Sequence, residues 1–132
     1  MGGKSSRTKG HNFEREVANL FREVYPDARR GLQQPRSGAE VPDVEGTPFW
    51  VECKRGKRTS PLAALRQATC DTAEAQLLNE NGRPFRSPIA VCKDDRQPAT
   101  VTLWLDDFID IISAAGPGRA VPDPVADSRE EA

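Results

Sequence analysis

The chain has 132 residues, 36 % hydrophobic and 30 % charged, which suits one domain with a core of its own and excludes a helical membrane span. Its net charge of −1 hides an asymmetry: residues 1–67 hold 13 Lys/Arg against 8 Asp/Glu, and residues 68–132 hold 6 against 12, a pattern that suits a polyanionic partner on one face or a scatter of solvated charge. Three cysteines, Cys53, Cys70 and Cys92, are an odd number without C-x-x-C spacing; they exclude a disulfide framework and a zinc ribbon, and point to reduced thiols in a cytoplasm.

Residues 1–8 are polar and basic, with Lys4 and Arg7 among Gly and Ser and no apolar stretch of a signal peptide. They are expected to form a flexible basic arm. From Gly10 to Val24 the apolar positions Phe13, Val17, Leu20, Phe21 and Val24 have helical spacing, so one stripe should face a core. Glu14 falls at the rim of that stripe. There it can reach a site between helix and sheet, or pair with a neighbouring arginine. His11 stands alone at the helix start and reads as an exposed residue. Pro26 ends the helix.

Ala28 to Gln34 is expected to be a first strand. Pro35-Arg36-Ser37-Gly38 is a turn whose Arg36 and Ser37 are placed to hold a phosphate. Pro42 to Lys54 then reads as two strands joined by a turn at Gly46 to Pro48. Paired symmetrically about the Thr47–Pro48 bond, they put Asp43 opposite Glu52, Val44 opposite Val51 and Glu45 opposite Trp50. Opposed Cβ atoms lie about 4.5–5.5 Å apart, so the two carboxylates repel unless a proton or a cation intervenes. Alternation puts Glu52 and Lys54 on one face, Val51 and Cys53 on the other. Two carboxylates, with the Cys53 backbone carbonyl as a third oxygen, suit Mg²⁺. The plainer reading is a polar hairpin with a Glu–Lys pair on its wet face.

Arg55 to Arg58 is a basic loop. Ser60-Pro61 opens a helix to about Asn79, with Leu62, Leu65, Ala68, Thr69, Ala73 and Leu77 as its expected inner face. Gln67 either points back toward the carboxylates or is solvated. Pro88 to Lys93 should be a buried strand and Thr100 to Leu105 another. Asp106-Asp107 opens a last helix, Phe108 to Ala115, whose Phe108, Ile109 and Ile112 are core or a subunit contact. The domain is expected to span residues 9–115, and the Pro-rich acidic stretch 116–132 to be a disordered tail.

A helix with Glu14, a strand, Pro42-Asp43, Glu52-x-Lys54, a helix and a further strand, in that order, resembles the PD-(D/E)xK nuclease superfamily. Within it, Lys9-Gly10 ahead of Phe13-Glu14-Arg15-Glu16-Val17 is similar to the opening of archaeal-type Holliday-junction resolvases and their phage relatives. The resemblance covers about residues 9–93. It implies an α/β fold, a restriction-endonuclease-like core with a mixed sheet of four or five strands flanked by helices. It also implies Mg²⁺-dependent hydrolysis of DNA phosphodiesters, with Mn²⁺ as a substitute ion and no small-molecule cofactor. Glu14, Asp43 and Glu52 would be metal ligands and Lys54 the catalytic lysine. Ser37 lies near a functional serine of the resolvases. Lys9, Arg29, Arg30, Arg36, Arg55, Lys57, Arg58 and Gln67 would hold DNA. The expected partners are branched duplex DNA and a second copy of the chain, in a cytoplasm. The other readings are a nicking or DNA-degrading nuclease of the same superfamily and a non-catalytic DNA-binding protein. Two departures stand out. Glu45 occupies a position where the family usually has a small or apolar residue, which makes it a rival metal ligand. The segment between Glu16 and Pro42 lacks a clear resolvase pattern.

Overall fold

A computed structural model describes residues 3–32, 40–77 and 85–116, with side chains from residue 7 onward. Eight elements follow one another: α1 (Gly3–Arg22), β1 (Arg29–Arg30), β2 (Val44–Glu45), β3 (Phe49–Gly56), α2 (Pro61–Leu77), β4 (Ser87–Asp94), β5 (Thr100–Thr102) and α3 (Leu105–Ala115). The five strands form one sheet in the order β1-β2-β3-β4-β5. Only β3 and β4 are parallel; the other neighbours are antiparallel. The fold is therefore α/β with a mixed five-stranded sheet. Among the described residues no helix is long and apolar enough to cross a membrane.

The parallel pair is the centre because it is buried on both faces. Its register runs from Phe49 opposite Ser87 to Gly56 opposite Asp94. Val51, Cys53, Ile89 and Val91 pack with Phe13, Val17 and Ala18 of α1, while Ala90 and Cys92 pack with Ala64 and Leu65 of α2. Alternation along each strand thus assigns one helix to each face. Phe21, Tyr25 and Phe49 close the α1 side, with ring centroids 6.4–6.5 Å apart.

Several expectations need correction. α1 begins at Gly3, so residues 3–8 continue the helix instead of forming an arm. No proline interrupts that segment, and propagation from a packed helix costs far less than nucleation. The buried stripe is narrower than the apolar pattern: Leu20 and Val24 are exposed, while Phe13, Val17 and Ala18 are buried against the sheet and Phe21 packs at its edge. The first strand has shrunk to Arg29–Arg30; residues 33 and 34 of the expected strand lie outside the described residues.

α2 is rotated from its expected face. Ala64, Leu65, Ala68, Asp71 and Thr72 are buried, whereas Leu62 and Leu77 are 45 % and 88 % exposed. Alanines at 64 and 68 let the helix backbone approach the sheet closely. That approach decides the face against the larger leucines. In α3 no residue is buried, so Phe108, Ile109 and Ile112 are not core. Trp104, just before α3, packs instead, with its indole N–H donating to Thr69 Oγ1 at 2.8 Å.

Candidate functional site

The hairpin register is as the alternation predicts: Val44 pairs with Val51 across β2 and β3, which sets Asp43 beside Glu52. The turn depends on Gly46, whose φ of 83° is a left-handed conformation; a Cβ there would also run into the Asp27 carbonyl oxygen. Gly31 is needed for a different reason. Its N–H donates to the Asp43 carbonyl at 2.8 Å, and a Cβ would collide with the Pro42 carbonyl oxygen. The Pro42–Asp43 segment is thereby pressed between the end of β1 and β3.

Asp43 is anchored at both ends. Its N–H donates to the Val51 carbonyl and its Oδ2 accepts from the Cys53 N–H, each at 2.8 Å. Despite that favourable bond, burial raises its pKa to about 7; the neighbouring Glu52 and Glu14 charges add to the rise, and the Cys53 N–H and Lys54 only partly oppose it. Glu52 also rises, first from burial and then from Asp71 and Glu40, against the pull of Lys54. Lys54 Nζ lies 3.4 Å from Glu52 Oε1 and is half exposed. Burial holds the Cys53 thiol far above its ordinary pKa, with Asp43 and Glu14 adding to it. That side chain is an inert core group, and the backbone of Cys53 is its contribution to the site.

Glu14 joins from α1. Its Oε2 accepts from Arg30 Nε at 2.8 Å, a charge-assisted pair with both side chains mostly buried. Glu14, Arg30 and Asp43 line one cleft of about 350 Å³, together with His11, Gly31, Leu32, Val41 and Pro42. The arrangement is two linked sub-sites: Glu14 and Asp43 in the cleft, and Asp43, Glu52 and Lys54 along the hairpin. Among the described residues no three His, Cys, Asp or Glu side chains converge as a ready-made metal cage. The donors nevertheless suit a divalent cation. They are hard carboxylate oxygens, and Glu52 and Glu14 add to the rise that burial gives the Asp43 pKa, a like-charge repulsion that a cation would offset.

The remaining residues singled out in the sequence fall as follows. Glu45 pairs with Arg29 at 3.8 Å, so its carboxylate is engaged with a cation on β1. Arg55 is half-buried and its Nε lacks a partner. Lys57 and Arg58 are exposed in a loop clamped to β4: Thr59 donates to Asp94 Oδ1 through its N–H at 2.8 Å and its hydroxyl at 2.5 Å, and Asp95 N–H donates to the Gly56 carbonyl. Lys9 is exposed on α1. Gln67 is exposed on α2 and bonded to Asp71. Arg36 and Ser37 lie outside the described residues.

His11 is exposed, as its place at the helix start suggests, and it also lines the cleft; it precedes Glu14 by three positions on α1, a spacing that puts both on one helix face. Asp71 is the residue that the linear pattern does not single out. Asp71 follows Gln67 by four and is 8 % exposed, the one charged residue among those fully buried in the described part of the chain. Its signal was the 64-68-71 spacing, concealed by the larger apolar residues Leu62 and Leu77. No protein-family model matches the chain, and neither a curated protein nor a solved structure does so.

Proposed function

We propose that the chain is a Mg²⁺-dependent DNA endonuclease of the PD-(D/E)xK kind, selective for branched duplexes and acting as a Holliday-junction resolvase in a cytoplasm. One observation carries this reading: Asp43 and Glu52 oppose each other beside Lys54, in a setting whose burial, with the Glu52 and Glu14 charges adding to it, holds Asp43 near 7. A carboxyl so shifted by burial and a specific charge partner, at a cleft, is a candidate functional group. The element order supports the same reading. A helix carrying Glu14, three antiparallel strands, a crossover helix and a strand parallel to β3 follow the sequence of elements that the resemblance implies.

Asp43 and Glu52 would hold the ion. The Cys53 N–H faces Asp43, and in an extended strand the carbonyl of a residue projects to the same side as its N–H, so that oxygen is available at the same edge. Mn²⁺ meets the same hard donors. When bound, the ion supplies charge that lowers the pKa of a coordinated water and offsets charge on the phosphate. Lys54 reaches out of the hairpin to orient the attacking water or to balance charge building on the phosphorus. Glu14 holds Arg30 at the cleft and would contribute an oxygen to the ion or to its water shell. Lys9, Arg29, Arg30, Arg36, Ser37, Arg55, Lys57 and Arg58 would bind the DNA backbone, which fixes register without reading sequence. A second copy of the chain would supply the second cut at a junction.

The test is cleavage of four-way junction, flap, nicked and linear duplex DNA in Mg²⁺. Wild type should cut the junction best. Asp43→Asn and Glu52→Gln should abolish cutting while DNA binding persists or tightens, since repulsion of phosphate falls. Retained cutting in both variants removes the site assignment. Equal cutting of all duplexes leaves a general nuclease of this superfamily, and binding without any cutting leaves a DNA-binding protein.

A further inference from the structure

Asp71 is the least expected feature of the interior. It occupies an inward position on α2, 8 % exposed, with no cation paired to it among the described residues. An apolar side chain there would avoid the cost of burying a carboxylate. Its charge also acts on Glu52, raising that pKa further. The partner it does have is Gln67, whose Nε2 donates to Oδ1 at 3.0 Å and to Oδ2 at 3.1 Å.

The side of α2 that carries this pair is set by Thr69. Thr69 accepts from Trp104, which follows β5. Gln67 and Asp71 each lie two positions from Thr69, about 200° round the helix. They are therefore on the side turned away from β5, toward β3 and β2, where Glu52 and Asp43 stand.

The chemistry of the pair follows from its donors. An ionised carboxylate only accepts, so the Gln67 amide must turn its NH₂ to Asp71 and its carbonyl oxygen outward. A phosphodiester oxygen is also only an acceptor, and cannot bond to that carbonyl. The geometry points to Asp71 as a positioning residue. It locks Gln67 with Oε1 outward, as an acceptor for a water proton at the Asp43–Glu52–Lys54 site. Gln67, grouped with the DNA-binding residues by sequence, would then orient water and not hold phosphate. This inference rests on the proposed nuclease reaction.

The experiment compares Asp71→Asn, Gln67→Ala and the double variant with wild type. It reads kcat and KM for DNA in Mg²⁺, DNA affinity in EDTA, Tm, and the Gln67 side-chain amide in ¹⁵N–¹H spectra of the metal-free protein. Each single variant should lower kcat about 10- to 100-fold, as loss of an outer-shell partner does. The double variant should be no worse than either single, because both remove one device. KM and the affinity in EDTA should stay at wild-type values, and Asp71→Asn should displace the Gln67 amide signals. A merely structural Asp71 would change Tm and leave kcat alone; that result overturns the role. So does a Gln67→Ala chain that binds DNA more weakly with kcat intact, or single effects that multiply. Wild type that cuts no DNA overturns the reaction and this role together, whereas active wild type with an indifferent Asp71→Asn overturns the role alone.

Discussion

At the scale of single residues, the hairpin concentrates like charge where a purely structural turn would spread it. Asp43 ionises near 7 in the folded chain against an ordinary 3.8. The folded state therefore holds this proton more tightly than the unfolded state. Stability from the group is fully present below about pH 3.8 and is lost as pH rises through 7. For the metal-free chain the loss between pH 5 and pH 8 should amount to about 1.5–2.5 kcal/mol, the lower end allowing for partial hydration. Glu52 shifts in the same direction and steepens the slope. Asp43→Asn should flatten the slope and be more stable than wild type at pH 8. Urea unfolding in EDTA across that window reads this directly. A variant whose stability falls in parallel with wild type would mean that Asp43 is not held up. Added Mg²⁺ should recover the wild-type stability at pH 8, because an ion that binds only the folded site stabilises it by mass action.

At the scale of elements, the loop between β3 and α2 is clamped at both of its ends. Thr59 on Asp94, and Asp95 on Gly56, tie it across the carboxyl ends of the parallel pair. Lys57 and Arg58 are thus presented from a fixed frame, which lowers the ordering cost of a phosphate contact. If each neutralises one phosphate, changing both to Ala should reduce the slope of log K against log salt by about 2 × 0.9. The effect should be the same on every DNA sequence, since backbone contacts carry no base information. An unchanged slope would place the DNA on another face. The α1 helix contributes in a second way: Glu14 and Arg30 bring its acid to the edge of the sheet as one half of an ion pair.

At the scale of the whole molecule, α3 is the one helix without a buried residue among those described. Leu105, Phe108, Ile109 and Ile112 are 43–72 % exposed, and Val101 on the neighbouring edge strand is 56 % exposed. An exposed apolar helix face of this kind would suit contact with another chain. A second copy fits the proposed reaction, because a junction needs two cuts related by a two-fold axis and one hairpin supplies one site. Sedimentation or light scattering at micromolar concentration should show a dimer. Phe108→Asp with Ile112→Asp should yield a folded monomer that nicks a junction without pairing its cuts. A wild-type monomer that makes paired cuts would exclude this account of α3.

What the sequence determined by itself is largely local or periodic. The hairpin register, the alternation that separates Glu52 and Lys54 from Val51 and Cys53, and the strand at Pro88 to Lys93 follow from a period of two and from one turn. These depend on the nearest neighbours along and across a strand, so a linear reading reaches them. Tertiary structure alone decided what depends on facing surfaces. Small alanines at 64 and 68 set the face of α2 and so buried Asp71 beside Gln67. The end of β1 brought Arg30 to Glu14 and Arg29 to Glu45, which a reading of β2 and β3 alone could not contain. Burial, a property of the assembled sheet and helices, is also the first cause of the raised Asp43 pKa. The acids at 43 and 52 were legible as a pair; the environment that holds a proton on one of them exists only in the fold, because desolvation is a property of everything packed around a group.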